Sequence, residues 1–249
     1  MKLKEIFDQI KIIEKQYNTS TVYCCGGMPR DRYMKKLNNI SDIDLCTGDK
    51  SIDIVSKELY KYLSGKYNVT NKIMPDGHSS IYVGNLKLDF SSNFNTPNIE
   101  NILTKKLGKP PIDIQKEIFS RDFTCNSLLL SLDLESIFDL TKRGLEDINN
   151  KIIRTCLSPE ITLTTSKNRV VRAIYLACKL DFDLDPTIIS FVKSHPESIK
   201  ISTDHSLREK LDEAFKRNPD KAAKLLSEMN LWKHVPISKI MYSHYMRVK

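Results

Sequence analysis

Two aspartates in one short apolar run are the residues of this chain best suited to chemistry. Asp42 and Asp44 alternate with Ile43 and Leu45, and residues two apart in a β-strand project to the same side. Two carboxylates held this close repel each other unless a cation lies between them. Mg²⁺ prefers oxygen ligands, and where it also binds phosphates it typically takes one or two protein carboxylates. The pair therefore predicts a magnesium site, although a solvated strand edge would show the same spacing.

A glycine turn precedes the aspartates and suggests the anion that would accompany the metal. Gly26 and Gly27 follow the apolar residues 21–25 and precede a basic, helix-like segment at residues 28–37. Glycine lets backbone N–H groups approach an anion closely at the start of a helix. Arg30, one turn into the helix, could reach either a phosphate or Asp31, and a pair that merely braces the turn is the alternative. Turn and aspartates together favour a bound triphosphate with its metal.

These motifs stand in the order of a known family. GGMPRD followed by DID resembles the GGxVRD and DxD signature of the class II CCA-adding and bacterial poly(A) polymerase nucleotidyltransferases. The resemblance continues through the chain: residues 120–127 (SRDFTCNS) look like the family's RRDFTINA, residues 137–154 resemble its hinge, and residues 169–173 stand where it has RxLRA. Nearly the whole chain is covered, in order.

The resemblance implies an α+β fold in two parts. A nucleotidyltransferase head of the polymerase β-like type is expected over residues 1–140, and an all-helical neck with a truncated body over residues 141–249. The 249 residues suffice for two modest domains. Apolar spacing predicts a first helix at residues 3–16, a second at 52–63, and neck helices at 169–180, 187–193, 207–217 and 221–229.

Strand and loop signals complete this expectation. Strands are predicted around Val22 and Asp42, and at residues 80–83 and 87–90, the last two joined by a hairpin at Gly84 and Asn85. The polar, turn-rich residues 93–111 predict a mobile loop. Strand signals stop after Arg154, which favours helices from there onward.

The family's chemistry is metal-dependent transfer of a nucleoside monophosphate from an NTP to an acceptor hydroxyl, with release of pyrophosphate and two Mg²⁺ ions. By resemblance the catalytic and metal-binding residues are Asp42, Asp44 and Asp89, and Asp89 could instead be an exposed hairpin carboxylate. The residues expected to bind the nucleotide are Gly26, Gly27, Arg30, Asp31, Arg121, Asp122, Asn126, Arg169 and Arg172. For Arg121 and Asp122 the alternative is a buried salt bridge, and for Arg169 and Arg172 an exposed basic helix face.

Two departures from the family concern the substrate. The base-reading motif EDxxR aligns with residues 165–169, TSKNR, so that Arg169 remains while Thr165 and Ser166 replace the two carboxylates. A hydroxyl both donates and accepts and therefore discriminates poorly between bases. The chain also ends soon after the neck, where relatives that hold tRNA carry a longer body and tail. Either a partner protein supplies the missing grip or the acceptor is small.

Composition is compatible with an RNA partner. The formal net charge of +8 suggests a polyanionic ligand, although a lysine-rich surface would show the same balance. No apolar leader and no membrane-length stretch is evident, so a cytoplasmic location without membrane contact is expected. The six cysteines lack metal-ligand spacing, and those in apolar runs are expected to be small buried hydrophobes: Cys24, Cys25, Cys46, Cys125 and Cys178.

Three functions therefore remain open at the level of sequence. The first is a template-independent nucleotidyltransferase acting on RNA 3′ ends, favoured by the motif set and the basic charge. The second transfers a nucleoside monophosphate to a small molecule or a protein, and the altered base reader and short chain favour it. The third is a non-catalytic relative that binds NTP or RNA, and the intact Asp42 and Asp44 argue against it.

Overall fold

The chain folds into two compact units. The computed structural model describes residues 3–38, 40–74, 78–92, 96–166, 168–196, 205–235 and 237–248. The first unit comprises Met1–Arg121 and Asn126–Gly144, and the second comprises Asp122–Cys125 and Leu145–Lys249. The short segment Asp122–Cys125 therefore belongs to the second unit, although residues on both sides of it in the sequence belong to the first.

A mixed seven-stranded sheet forms the centre of the first unit. Its strands lie in the order β3-β4-β5-β2-β1-β6-β7, and their ranges are β1 Tyr23–Cys25, β2 Asp42–Cys46, β3 Val69–Ile73, β4 Ser79–Val83, β5 Leu86–Phe90, β6 Leu129–Leu130 and β7 Ile137–Phe138. β2 runs parallel to β5 and antiparallel to β1. The strands predicted at residues 80–83 and 87–90, with their hairpin at Gly84 and Asn85, are confirmed as β4 and β5.

One face of this sheet is covered by two amphipathic helices, α1 (Leu3–Tyr17) and α3 (Ser51–Ser64). Both confirm the predicted helical spacing, since Ile6, Ile10 and Ile13 of α1 are buried and α3 likewise buries one face. The helices pack against Ile43 and Leu45 of β2, which are fully buried. Because side chains alternate along a strand, burial of Ile43 and Leu45 turns Asp42 and Asp44 to the opposite face.

That opposite face carries a second, smaller core. Cys25, Cys46, Leu129 and Ile118 form it, and Ile118 comes from helix α5 (Asp113–Phe119). A short helix, α2 (Gly27–Tyr33), follows β1 directly. The predicted burial of the cysteines is confirmed, and Cys156 is buried as well. Burial raises the pKa of the Cys178 thiol to about 11, which keeps it protonated at neutral pH.

The predicted mobile loop at residues 93–111 is wrong over most of its described length. Helix α4 spans Ile99–Leu107 and buries Ile99 and Leu103, four residues apart on one face. Gly108 ends the helix in the left-handed region, with φ at 71°. The polar composition concealed a helix with one narrow apolar stripe. Residues 93–95 lie outside the described part of the chain.

Helices dominate the second unit. They are α6 Gly144–Asn149, α7 Pro159–Thr165, α8 Asn168–Leu180, α9 Pro186–Ser194, α10 His205–Arg217, α11 Pro219–Glu228 and α12 Lys239–Val248. Four of them confirm the predicted neck helices to within two residues at each end. A two-residue parallel pair, β8 (Ile152–Ile153) with β9 (Asp183–Leu184), departs from the expectation that strands stop after Arg154. Strands this short carry too little periodicity to be seen in a sequence.

A network of buried charges holds the segment Asp122–Cys125 inside the second unit. Thr124 donates its backbone N–H to the Arg154 carbonyl (2.9 Å) and its hydroxyl to Asp147 (2.7 Å). The Arg154 guanidinium in turn pairs with Asp147 at 3.0 Å and with Asp185. Phe123 forms a β-bridge with Thr155.

Among the residues described, no helix has the length and apolar character required to span a lipid bilayer.

Candidate active site

The sheet places Asp42 and Asp44 next to the glycine turn. Asp42 is exposed and Asp44 half-buried, while the intervening Ile43 is fully buried. In the antiparallel register Cys25 lies opposite Asp44, so Gly26 follows directly beside that carboxylate. Strand alternation and β1–β2 pairing thus bring the two sequence motifs together.

Gly26 can only be glycine at this position. Its φ is +71° and its ψ is −131°, a combination that residues with a Cβ rarely adopt. A Cβ added there would lie 2.2 Å from Asp44 Oδ2, well inside contact distance. The turn therefore lies close against the Asp44 carboxylate, with no room for a side chain between them.

Arg30 braces the turn. Its side chain is buried, and Nε and Nη2 donate to Asp31 Oδ1 at 2.9 and 2.8 Å. Nη1 donates to the buried Asn126 Oδ1. A Cβ on Gly27 would lie 3.1 Å from Arg30 Nη2, so the guanidinium folds back against the turn. This geometry favours the bracing interpretation of Arg30 and Asp31 over direct contact with a phosphate.

Asp89 stands beside Asp44 but already has a cationic partner. The parallel register pairs the two residues across β2 and β5. Lys87 Nζ lies 2.6 Å from Asp89 Oδ2, and the Ser80 hydroxyl donates to Oδ1. An ammonium group thus provides the charge compensation that a metal would provide. The role of Asp89 as a third ligand stays a prediction.

Asp42 and Asp44 suit Mg²⁺ as a two-carboxylate set. Both are oxygen donors that solvent can reach, and Ser41 donates a hydrogen bond to Asp42 Oδ2 at 3.0 Å. In the described part of the chain, no group of three or more His, Cys, Asp and Glu side chains is arranged to hold a metal ion. A pair of carboxylates is the protein ligand set that Mg²⁺ typically uses where phosphates and water supply its other ligands.

Arg121 lies on the same face of the sheet as Asp42 and Asp44, where it contacts Cys25. Its Nη2 donates to Glu117 Oε1 at 2.8 Å and to Cys25 Sγ at 2.9 Å. The Glu117 side chain is completely buried and that of Arg121 is 12% exposed. Burial, hydrogen bonding with Cys46 and the nearby Asp44 charge raise the pKa of the Cys25 thiol, so the cysteine remains neutral. The buried salt bridge considered for Arg121 is present, with Glu117 as its partner.

Glu117 and Lys87 are the two residues of this site that sequence reasoning missed. Glu117 precedes Arg121 by four residues, the spacing of neighbouring side chains on a helix. This spacing is present in the sequence, but it follows residues 93–111, which were predicted to form a loop. Lys87 lies two residues before Asp89 on the same strand, and its hydrogen bond to Asp89 has no local sequence signature.

The second unit holds its own cluster of predicted nucleotide-binding residues. Arg172 Nε donates to Asp122 Oδ2 at 2.7 Å, and Phe123 N donates to Oδ1 at 2.9 Å. Arg169 is buried, and its Nη1 donates to the Thr162 carbonyl at 3.0 Å. The Arg172 side chain is 48% exposed. Of the two arginines, Arg172 therefore presents its guanidinium to solvent.

The residues that align with the family's EDxxR motif begin at the end of helix α7. Thr165 is its last residue, and its hydroxyl donates to the Ile161 carbonyl at 2.7 Å. Ser166 follows in extended conformation, and Lys167 lies outside the described residues. The Thr165 hydroxyl, at the position of the family's Glu, thus donates its proton to the helix backbone.

Replacing Arg172 by methionine is expected to raise the pKa of Asp122. Burial would raise this pKa, but the guanidiniums of Arg172 and Arg169 hold it below the usual value of 3.8. The pair therefore stabilises the fold above about pH 4, and that contribution is lost as pH falls through the lowered pKa. Carboxyl carbon NMR should show Asp122 titrating at higher pH in Arg172→Met. Lys179→Met, two turns along the same helix, should leave the titration in place.

Comparison with known proteins agrees with this architecture. The pattern of the poly(A) polymerase head domain matches residues 22–154, more than half of the chain. A tRNA nucleotidyltransferase of Schizosaccharomyces pombe is 27% identical over 206 residues, covering 77% of this chain and 42% of its own length. A CCA-adding enzyme of Staphylococcus epidermidis is 24% identical over 242 residues, covering 94% and 56%. The chain thus spans about half the length of these curated relatives.

Solved structures show the same fold at low sequence identity. A Bacillus stearothermophilus CCA-adding enzyme in complex with CTP superposes with a TM-score of 0.70 at 18% identity, covering 96% of this chain and 56% of the other. The Thermotoga maritima CCA-adding enzyme complexed with tRNA gives 0.69 at 20% identity, covering 92% and 51%. With the matched pattern spanning the glycine turn, both aspartates and the Arg121 segment, this chain belongs to the poly(A) polymerase head-domain family and has its nucleotidyltransferase head fold.

Proposed function

We propose that the protein moves a nucleoside monophosphate from an NTP to a 3′ hydroxyl of RNA and releases pyrophosphate. The observation that supports the proposal is the close approach of Gly26 to Asp44, which would bring a triphosphate held by the turn beside a metal held by the carboxylates. The match to relatives named as tRNA nucleotidyltransferases supports the substrate class. The domain assignment, with a head at residues 1–140 and a helical neck and body region at residues 141–249, is part of the proposal.

Asp42 and Asp44 would hold the metal in this reaction, and two Mg²⁺ ions are proposed. When bound, the ions would supply charge neutralisation at the triphosphate and acidify the acceptor hydroxyl. Asp42, which is exposed, would face the solvent side of the site, and the half-buried Asp44 is held by the turn. Asp89 would bind a metal ion only after its ion pair with Lys87, with Nζ 2.6 Å from Oδ2, is broken.

The glycine turn would hold the triphosphate through the backbone amides of Gly26 and Gly27. Arg30, Asp31 and Asn126 would keep the turn in place through the hydrogen bonds described above. Arg121, which lies on the face of the sheet that carries Asp44, would add a positive charge there while it is bonded to Glu117 and Cys25. Positioning of this kind accounts for most of the catalysis in phosphoryl-type transfer, because the protein forms no covalent bond itself.

The proposed transfer is an in-line displacement at the α-phosphorus of the NTP. The acceptor oxygen forms a bond to the α-phosphorus, and the bond from the α-phosphorus to the bridging oxygen breaks. Pyrophosphate leaves with the electron pair, and the hydroxyl proton passes to water. Asp122, Arg169 and Arg172 remain proposed nucleotide-binding residues. Of these, the exposed Arg172 has the donors best placed to meet a base or sugar.

The acceptor is the part of the proposal that most needs a direct experiment. Each α-labelled NTP would be offered with Mg²⁺ and total RNA, with a metabolite extract, or with no acceptor. Label on RNA, lost on chelation of Mg²⁺, is the expected result. Label found only on small molecules or on protein would contradict an RNA acceptor. It would support the alternative, transfer of the nucleoside monophosphate to a small molecule or a protein. The RNA proposal also includes a cytoplasmic location and a partner protein that helps to hold the acceptor.

A further inference from the structure

Three cations surround a single tyrosine in the second unit. Lys210 Nζ lies 4.3 Å from the centroid of the Tyr175 ring, Lys179 Nζ lies 5.8 Å from it, and Arg217 Cζ lies 5.9 Å from it. We call Tyr175, Lys179, Lys210 and Arg217 the Tyr175 patch. None of these residues belongs to the motifs that led to the proposed function.

Two packed helices build the patch. Tyr175 and Lys179 are one turn apart on α8, and Lys210 and Arg217 are two turns apart on α10. α10 packs against α8, burying Leu207, Leu211, Ala214 and Phe215 along one stripe. Lys179 and Arg217 are exposed, and Lys210 is half-buried against the ring. The cations are therefore held at the surface by the cores of both helices.

The charge of the patch is not cancelled locally. Cations gathered near one ring repel each other, although the ring's electron-rich face attracts each of them. Glu213 of α10 feels the charges of Lys210 and Arg217, and its carboxylate accepts a hydrogen bond from Lys216 at 3.1 Å. That bond, with the charges of Lys216, Arg217 and Lys210, lowers the pKa of Glu213. Glu213 is thus shared with a further cation, and an external anion would relieve the repulsion.

The patch continues from a residue of the proposed active site. Arg172 precedes Tyr175 by three residues on α8 and projects from the same side of the helix. Arg172 and Lys179 are exposed, and Tyr175, which lies between them on this side of the helix, is half-buried. A chain with regularly spaced phosphates can follow such a row, whereas a single free nucleotide would occupy only its beginning.

We propose that the Tyr175 patch binds the phosphate backbone of the RNA acceptor strand. This inference rests on the proposed function, because it assumes that the strand's end lies at the nucleotide held by Arg172. Charge complementarity carries it: the patch concentrates cations around an aromatic ring in a chain of net charge +8.

The test is the salt dependence of RNA binding by the full chain. A fluorescein-labelled single-stranded RNA would be titrated at several salt concentrations with the parent, with Lys210→Ala/Arg217→Ala, and with Lys224→Ala. Lys224 is a matched control, an exposed lysine of the same unit that lies on α11. The double variant should bind on the order of tenfold more weakly, and its log–log salt slope should be shallower by about 1.4, about 0.7 per lost phosphate contact. Lys224→Ala should bind like the parent.

Two results would overturn the inference. One is a double variant that binds RNA with the parent's affinity and salt slope while melting at the parent's temperature. The other is a double variant that keeps RNA binding but loses binding to polyglutamate or to phosphatidylserine vesicles. Transfer to a dinucleotide acceptor, measured in parallel, separates this inference from the proposed function. If transfer is absent in the parent while RNA binding depends on the patch, only the proposed function fails.

Discussion

Gly26→Ala should reduce nucleotidyl transfer by at least about 100-fold, since a misplacement of about 1 Å at reacting groups can cost that much. The added methyl group would lie 2.2 Å from Asp44 Oδ2. Either the turn or the carboxylate must move, and each holds one part of the proposed reaction. Initial rates with labelled NTP and RNA would measure the loss.

Gly108→Ala is the matched control for this substitution. Gly108 has the same φ of +71°, but nothing lies within 4 Å of its added Cβ. Its ψ of 10° places it in the left-handed helical region, which residues other than glycine can adopt. Gly108→Ala should therefore keep the parent's transfer rate within about twofold and destabilise the fold by about 1 kcal/mol. Equal losses in the two variants would contradict the proposed role of the Gly26–Asp44 contact.

Arg121→Met should destabilise the fold by about 3–5 kcal/mol, the usual cost of leaving one partner of a buried ion pair without the other. Glu117 is fully buried, and the guanidinium 2.8 Å away is its charge partner. Because many domains are stable by only about 5–15 kcal/mol, the variant should melt at a clearly lower temperature. Urea unfolding followed by circular dichroism would measure the change.

The double variant Glu117→Met/Arg121→Met separates bracing from substrate binding. Removing both charges should recover much of the lost stability, since well-packed apolar residues often replace a buried pair at little cost. Lys216→Met, which removes the exposed partner of Glu213, should change stability by less than about 1 kcal/mol. If the double variant folds well and its KM for NTP is still strongly raised, Arg121 contacts the nucleotide directly and the bracing account is wrong.

The elements that carry the site could be predicted because their signals are local. Alternation around Ile43 and Leu45 places the two aspartates on one face whatever their neighbours are, and the glycine turn is recognisable from composition. Helices such as α8 and α10 have wide apolar stripes with regular spacing. Because such patterns depend on only a few neighbouring residues, they can be recognised without knowledge of the fold.

What the sequence could not supply are contacts between distant segments. The pairing of Arg30 with Asn126 joins residues that are 96 positions apart. Arg121 contacts Cys25 across the same separation. Both arginines were predicted to bind the nucleotide, and their contacts with Asn126 and with Cys25 are visible only once the strands are in register. Helix α4 was missed for a different reason, because its narrow apolar stripe is set among polar residues.

The measurement that tests the account most directly is nucleotidyl transfer by Asp42→Asn and Asp44→Asn, each with Mg²⁺. Loss of a group that only orients a metal ligand costs about 10–100-fold, so each ligand substitution should cost at least about 100-fold. Asp53→Asn, an exposed aspartate in the first turn of α3, serves as control and should leave the rate unchanged. Near-parental transfer in either Asp42→Asn or Asp44→Asn, with the fold intact, would contradict the account.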